Sequence, residues 1–392
     1  MRKVRVSIVI PLLTLSALAG LPGCSATGGE GSAANALRLS GTTVQEALNI
    51  VTLAGRDLSV GNNGPATAAI LNAPRLITVD ASGNIYIPDL TRVWRIDHAT
   101  GIITTVAGTG TAGVGGDGVA TEQPVNIVFG VAMDGLNILY FSDFVNNMIR
   151  RVDLSANTVT TVMGTGTAGN MIYGQQASGQ PVNQPAGLFV QRLSADQAYL
   201  YFNNFGNQSV NRIDLSVGKP TSGQVFRVAG GNGTGFAGDG GPATAAKINN
   251  PRSVAVDSNG LVWITDSNNN RVRTIDAAGI IRTVAGTGVV DATGNEGLAM
   301  SAAVGRPYGI AFDPANNVYL ATMSGVRRID SAGYIHAFAG NPLVSGFSGN
   351  GAPALNALEA IAFGVAFDSS TGKGVHLGAI QSLRSECRHD RP

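Results

Sequence analysis

Six short segments of this 392-residue chain end on one pattern: a large apolar residue, then alanine or methionine, then glycine. They are Leu53-Ala54-Gly55, Val106-Ala107-Gly108, Val162-Met163-Gly164, Val228-Ala229-Gly230, Val284-Ala285-Gly286 and Phe338-Ala339-Gly340. Their glycines stand 53, 56, 66, 56 and 54 residues apart. Recurrence at a near-constant period is the signature of a repeat architecture, in which units that cannot bury their faces alone bury them against neighbours.

Each period carries the same parts in the same order. An apolar strand ends in an acid, as in Ser253-Val-Ala-Val-Asp257, and a turn (Ser258-Asn-Gly260) leads to an aromatic-led strand, Trp263-Ile-Thr-Asp266. A polar loop, Ser267-Asn-Asn-Asn270, then precedes a third strand, Arg271 to Asp276, and a glycine turn opens a fourth, Ile280 to Ala285. We call these strands a, b, c and d. Each is short, rich in β-branched and apolar residues, and bounded by Gly, Asn or Asp. Four consecutive strands on short turns make an antiparallel meander, and radial stacking of meanders is a β-propeller. The aromatic that opens strand b recurs as Tyr86, Tyr140, Tyr201, Trp263 and Tyr319, a slot expected to pack between neighbouring blades.

Counting strands predicts how the ring closes. A d-like strand, Ile50 to Ala54, precedes the first strand a, whereas the sixth strand a, Phe363 to Asp368, has no d strand after it. The expectation is an all-β, six-bladed propeller of four-stranded antiparallel blades, in which the N-terminal strand closes the last blade. That closure leaves no open strand edge. The connectors from d to the next a are long and glycine-rich, with near copies at 61–74 and 238–251. In these, Pro65 and Pro242 stand where a first helical residue would, ahead of Ala-rich residues and an Asn-x-Pro stop, so one helical turn is expected in each. The Gly238-Asp-Gly-Gly run lacks the Lys-Ser/Thr of a phosphate cradle and reads as a turn.

The consensus Pro-x-x-Val-Ala-Val-Asp, Gly-x-x-Tyr/Trp-Ile-x-Asp, Asn-Arg-Val-Arg-x-Ile-Asp, Ile-x-Thr-Val-Ala-Gly resembles the NHL-repeat family, and specifically its extracytoplasmic bacterial members. The resemblance covers about 50 to 368 and is strongest over 251–286. Blade 3 departs from it by insertions around 194–197 and 217–223, and blade 5 has Thr322-Met-Ser-Gly325 in place of the polar b–c loop. The resemblance implies a propeller and leaves the function open. Some relatives bind RNA, and related propellers act as metal-dependent lyases or lactonases.

The N-terminus reads as a leader. Arg2, Lys3 and Arg5 precede a mostly apolar stretch from Val6 to Leu21, too short and too broken by Pro11 for a membrane span of roughly 20 residues. Leu21-Pro-Gly-Cys24 resembles a bacterial lipobox, with Pro22 an unusual occupant. The expected organisation is a signal peptide at 1–23, a lipidated Cys24 with a flexible tether to 49, the propeller at 50–368, and a divergent or frame-shifted end at 369–392 that leaves the last blade incomplete. The expected location is extracytoplasmic, with the membrane reached through the lipid anchor only. With two cysteines, one of them acylated, no disulfide framework is expected. Between Cys24 and Asp368 stand 19 Lys/Arg against 23 Asp/Glu, a net charge of −4. Nucleic-acid binding depends on clustered basic residues, so that partner class is excluded.

Alternating strand direction brings the b–c loops and the d–a connectors to one face of the disc, where loop-borne function would concentrate. That face collects Asp89, Arg92, Asp117, Asp143, Asn146, Asn147, Asn204, Asn207, Asp239, Asp266, Asn268, Asn269 and Arg271. Singly, the Asp and Asn residues also read as turn caps. As a set they are the candidate surface for a protein, peptide or glycan of the cell envelope. No cofactor is expected, although the oxygen-rich loop Asp266-Ser-Asn-Asn-Asn270 admits calcium. His98, His336, His376 and His389 show no metal-ligand spacing, and no nucleophile elbow stands out. The reading is a non-catalytic binding scaffold. A metal-assisted lyase or lactonase on the same ring is the alternative.

Overall fold

The structure, a computed structural model, describes residues 62–340 continuously, together with 4–11, 48–54, 347–348, 354–356, 358–359, 362–368 and 373–379. Strands a to d appear in order in five antiparallel meanders. Blade 1 comprises Thr78–Val79, Ile85–Pro88, Val93–Ile96 and Ile102–Ala107. Blade 2 comprises Val128–Met133, Ile138–Asp143, Met148–Asp153 and Thr158–Met163. Blade 3 comprises Pro185–Arg192, Ala198–Asn204, Ser209–Asp214 and Val225–Gly230. Blade 4 comprises Pro251–Val256, Val262–Asp266, Arg271–Ile275 and Ile281–Ala285. Blade 5 comprises Pro307–Phe312, Val318–Thr322, Gly325–Ile329 and Tyr334–Ala339.

Among the described residues the propeller has five blades, not the expected six. The strand Ala362–Asp368 does stand beside strand a of blade 5, but it does not lead a fourfold meander of its own. Its sheet has the order Leu48–Ala54, Val4–Pro11, Lys373–Ala379, Ala362–Asp368, with two strands from each end of the chain. The predicted closure required three C-terminal strands and one N-terminal strand. Instead Val4–Pro11, assigned from sequence to the leader, lies between Leu48–Ala54 and Lys373–Ala379. The blades are not uniformly four-stranded either. In blades 1, 2 and 5 the incoming connector adds a two-residue fifth strand (Gly64–Pro65, Gly118–Val119 or Gly297–Leu298) along strand d. The expected helical turn follows each as a 3-10 turn, at Ala66–Ala68, Ala120–Glu122 and Ala299–Ser301, and again at Ala243–Ala245.

The core is a series of layers between adjacent sheets. Tyr86, Val93 and Ala107 of blade 1 pack with Val128, Val131 and Leu139 of blade 2, and Tyr140, Tyr201, Trp263 and Tyr319 hold the same place in the next four layers. Each buried aromatic or branched side chain contributes roughly 1.5–3 kcal/mol, so the stacked layers are the main source of stability. In three blades the polar end of the strand-b aromatic meets the acid that ends strand a. Tyr86 Oη donates to Asp80 (3.1 Å), Trp263 Nε1 to Asp257 (3.0 Å) and Tyr319 Oη to Asp313 (3.3 Å). This pairing explains the acid and aromatic in the repeat: together they bury a large ring without leaving its polar atom unpaired.

Toward the axis, strand a of blades 2 to 5 and its counterpart in the terminal sheet are bulged where they enter from the connector, so that extra residues stand opposite strand b. These are Phe129-Gly130, Ala186-Gly187, Arg252-Ser253, Tyr308 and, in the terminal sheet, Phe363. Ser142 and Thr265 stand opposite two of the bulges, and their hydroxyls accept the backbone N–H of Gly130 and Ser253, both at 2.8 Å. The glycines of this level allow neighbouring strands to approach to backbone contact. A β-carbon on Gly130 would lie 2.7 Å from the Ala186 carbonyl oxygen, and one on Gly364 would lie 2.6 Å from that of Arg75.

Candidate functional site

The acids and amides that end strand b are not displayed on the surface. Asp143, Asn204 and Asp266 are fully buried and Asp89 is nearly so. Each turns into the corner of its own blade and accepts a backbone N–H from the incoming connector. The donors are Asn72 to Asp89 (3.0 Å), Asn126 to Asp143 (2.8 Å), Asn183 to Asn204 (3.0 Å) and Asn249 to Asp266 (2.7 Å). Three residues further on, Asn146 Nδ2 bridges Asp143 to the Gly113 carbonyl, and Asn269 Nδ2 bridges Asp266 to that of Gly235. In blade 3, Asn207 holds the Gly169 carbonyl and the Asn183 amide. Asn147 Oδ1 accepts the N–H of Gln184 in the next connector, and Asn268 gives its backbone N–H to Asn249. Arg92 caps the Thr109 carbonyl over Trp94, and Arg271 caps the Asn269 and Thr287 carbonyls over Phe236. Asp117 and Asp239 accept from Thr161 and Thr283 of strand d. The thirteen residues therefore stand blade by blade at the b–c corners and in the connectors, and their hydrogen bonds fix those loops.

Sequence reading passed over a second set of residues. The second basic residue of strand c, as in Arg271-Val-Arg273, is buried. Arg273 binds Asp239 through Nε (3.0 Å) and Nη2 (2.6 Å), and its Nη1 stands 3.5 Å from Asp266 and bonds the Lys247 carbonyl at 2.9 Å. Arg150 does the same in blade 2 with the Gly115 and Gly116 carbonyls, 3.8 Å from Asp117. In blade 5 Arg327 reaches Asn295 and the Ala303 and Thr293 carbonyls. Each arginine ties strand c to its connector through a planar fork of donors.

Burial pushes the carboxyls of Asp89 and Asp143 up to about 6, against the N–H donors that favour the ionised form. In the unfolded chain an aspartate titrates near 4. Asp143 thus contributes its full share of stability below about pH 4, and that share is lost as pH rises through the folded value near 6. Blade 3 carries Asn204 in this slot, so the fold accepts an amide there. Asp143→Asn removes the titration. Its stability relative to the parent chain should rise by on the order of 2 kcal/mol from pH 4 to pH 7. Urea midpoints at the two pH values check this, and a difference that stayed flat would show Asp143 ionised throughout.

At the connector-side mouth of the ring, bulge residues of strand a join Arg75 and the b–c loop residues Phe144 and Phe205 in a layer of cations and aromatics. The Arg75 guanidinium lies over Phe129 (4.7 Å) and Phe363 (5.8 Å), and that of Arg252 over Tyr308 (4.8 Å), Phe205 (5.7 Å) and Phe129 (5.9 Å). Phe129 stacks on Phe144 at 5.3 Å, Phe144 meets Phe205 edge-on at 5.7 Å, and Tyr308 meets Phe363 at 4.8 Å. The seven side chains close a circle around the axis. Below them, past the glycine level, the strands enclose a cavity of about 320 Å³, walled by apolar residues such as Val131, Leu188, Val254, Ile310 and Val365. Among the described residues, no three His, Cys, Asp or Glu side chains stand together as a metal site. Nor is any helix long and apolar enough to cross a membrane. One signal for the mouth was legible: the residue before the glycine or serine of strand a reads Phe129, Ala186, Arg252, Tyr308, Phe363, an odd column in an otherwise apolar strand.

Comparison with known proteins agrees with this geometry. The sequence model of the Teneurin NHL domain matches residues 122–293. Human Teneurin-1 is 28% identical over 243 residues, covering 55% of this chain and 8% of its own length. Human NHL repeat-containing protein 2 is 28% identical over 225 residues, covering 52% of this chain and 30% of its own. The chain thus matches under a third of these relatives' lengths. Among solved structures, an auxiliary nutrient binding protein from Bacteroides thetaiotaomicron superposes with a TM-score of 0.55 at 13% identity, covering 82% of this chain and 72% of that one, a likeness of fold. Repeat motif, blade architecture and relatives converge on the NHL-repeat family.

Proposed function

We propose that this propeller is a non-catalytic, extracytoplasmic binding scaffold that offers the connector-side face to a protein, peptide or glycan. The observation that carries the reading is the pinning of that face. Four strand-b corners each hold a connector through a buried Asp or Asn, and three buried arginines hold the connectors again from strand c. Loops fixed in this way lose little conformational entropy on association, which favours recognition by a preformed surface. Ligand capture is compatible with the fold, since a nutrient-binding protein shares it. The lipid anchor at Cys24 belongs to the same proposal. Processing there would take Val4–Pro11 out of the terminal sheet and leave Leu48–Ala54 and Lys373–Ala379 without the strand between them.

The test is equilibrium binding of the purified chain to panels of envelope peptides and glycans, with the bound species recovered and weighed by mass spectrometry. A ligand that binds and returns at unchanged mass is the expected result. One that returns cleaved or rearranged would overturn the scaffold reading in favour of a lyase or lactonase.

A further inference from the structure

The mouth layer contains a cation without a counter-charge. Arg252 is more than nine-tenths buried, and its Nε has no hydrogen-bond partner. Among the described residues no hydrogen bond or ion pair reaches its guanidinium, which is held by the faces of Tyr308, Phe205 and Phe129. The buried arginines of strand c have by contrast found carbonyls or a carboxylate, as Arg150, Arg273 and Arg327 show. Cation–π contact contributes roughly 0.5–2 kcal/mol, well short of the desolvation cost of a buried charge, so Arg252 in this cage is poised for an anion. Phe144 and Phe205, only half-buried, form the outer rim on the b–c loops of blades 2 and 3.

We infer that the connector-side mouth binds a small organic carboxylate with an apolar or aromatic body, its carboxylate on Arg252 and its body against Phe144 and Phe205. The chemistry of the walls selects this class. A guanidinium fork matches the two oxygens of a carboxylate. Apart from the Arg75 guanidinium, the rest of the layer is aromatic rings, and among the described residues it offers few of the hydroxyl-matching groups that an uncharged sugar requires. The bulge of strand a, from Arg252 to Ser253, is what brings the side chain to the axis, and bulges commonly re-aim side chains at functional sites. The inference rests on the scaffold reading and goes beyond it, adding a small-molecule site to one part of the same face.

The probe is phenylacetate, titrated into the full chain and followed by calorimetry and ligand-detected NMR. Phenylacetamide, phenethylamine and inorganic phosphate serve as comparisons. Saturable one-to-one binding of phenylacetate is expected, with the amide and the amine at least tenfold weaker. Arg252→Met should weaken phenylacetate about tenfold or more, the loss of a charge-assisted bond. Phe205→Leu, on the half-exposed rim, should weaken it severalfold and guards against a misfolded arginine variant. Equal binding of acid and amide, equal binding of phosphate, or an Arg252→Met chain that binds as before would each overturn the inference. Absence of phenylacetate binding alongside intact peptide or glycan binding would remove the carboxylate site and leave the scaffold standing.

Discussion

Arg273→Ala is expected to lower stability by about 3–5 kcal/mol, the loss typical of breaking a buried ion pair from one side. Arg273 is wholly buried between two carboxylates, Asp239 at 2.6 Å and Asp266 at 3.5 Å, and also holds the Lys247 and Ala237 carbonyls. Truncation leaves Asp266 fully buried with its charge uncompensated and frees the connector between blades 3 and 4. Lysine in its place would restore a charge but not the fork, so Arg273→Lys should recover only part of the loss. The pair Arg282–Asp276 gives the contrast. It is as short, 2.6 Å, but lies in solvent, and Arg282→Ala should leave the urea midpoint where it was. Equal midpoints for the Arg273 and Arg282 variants would remove the buried arginines from the account of how the face is held.

Gly187→Ala is expected to cost about 3 kcal/mol or more, at the upper end for overpacking. The added β-carbon would stand 2.3 Å from the Arg252 carbonyl oxygen, 2.9 Å from Ser253 Cα and 3.0 Å from Asn203 Oδ1. Two of those neighbours are backbone atoms of a strand that is itself packed, so blades 3 and 4 must separate at the axis. The same displacement would shift Arg252 away from Phe129 and Phe205. Alanine at Gly179, which has open space around it, tests the specificity of the effect: its left-handed φ of 75° brings backbone strain alone, of order 1 kcal/mol. A thermal midpoint for Gly187→Ala no lower than that of Gly179→Ala would mean that the glycine level is looser than described.

The content of a blade was legible in the sequence because each local signal acts within a few residues. Asp and Gly turns, alternating apolar residues and the strand-b aromatic placed the strands, and Pro65 and Pro242 announced the connector turns. Blade number was not legible, because closure depends on which strands the two ends of the chain contribute. Sequence counted Phe363 to Asp368 and Ile50 to Ala54 as parts of a sixth blade, whereas they lie at opposite edges of a sheet that also takes in Val4–Pro11. The arginines were missed for a different reason. Alternation along Arg271-Val-Arg273 assigns one face to solvent, yet a propeller strand is covered on both faces, and Val272 and Arg273 are equally buried. The mouth is a purely tertiary feature: Arg252 and Phe129 lie two blades apart in sequence and meet only across the axis.

The most direct measurement is hydrogen–deuterium exchange on the full chain, with and without the ligand recovered in the binding experiment. Recognition by the pinned face predicts protection confined to the b–c loops around 144–147 and 205–208 and to the connectors at 109–127, 164–184 and 231–250. Protection confined to the a–b and c–d turns on the opposite face, around 134–137, 154–157 and 258–260, would contradict it.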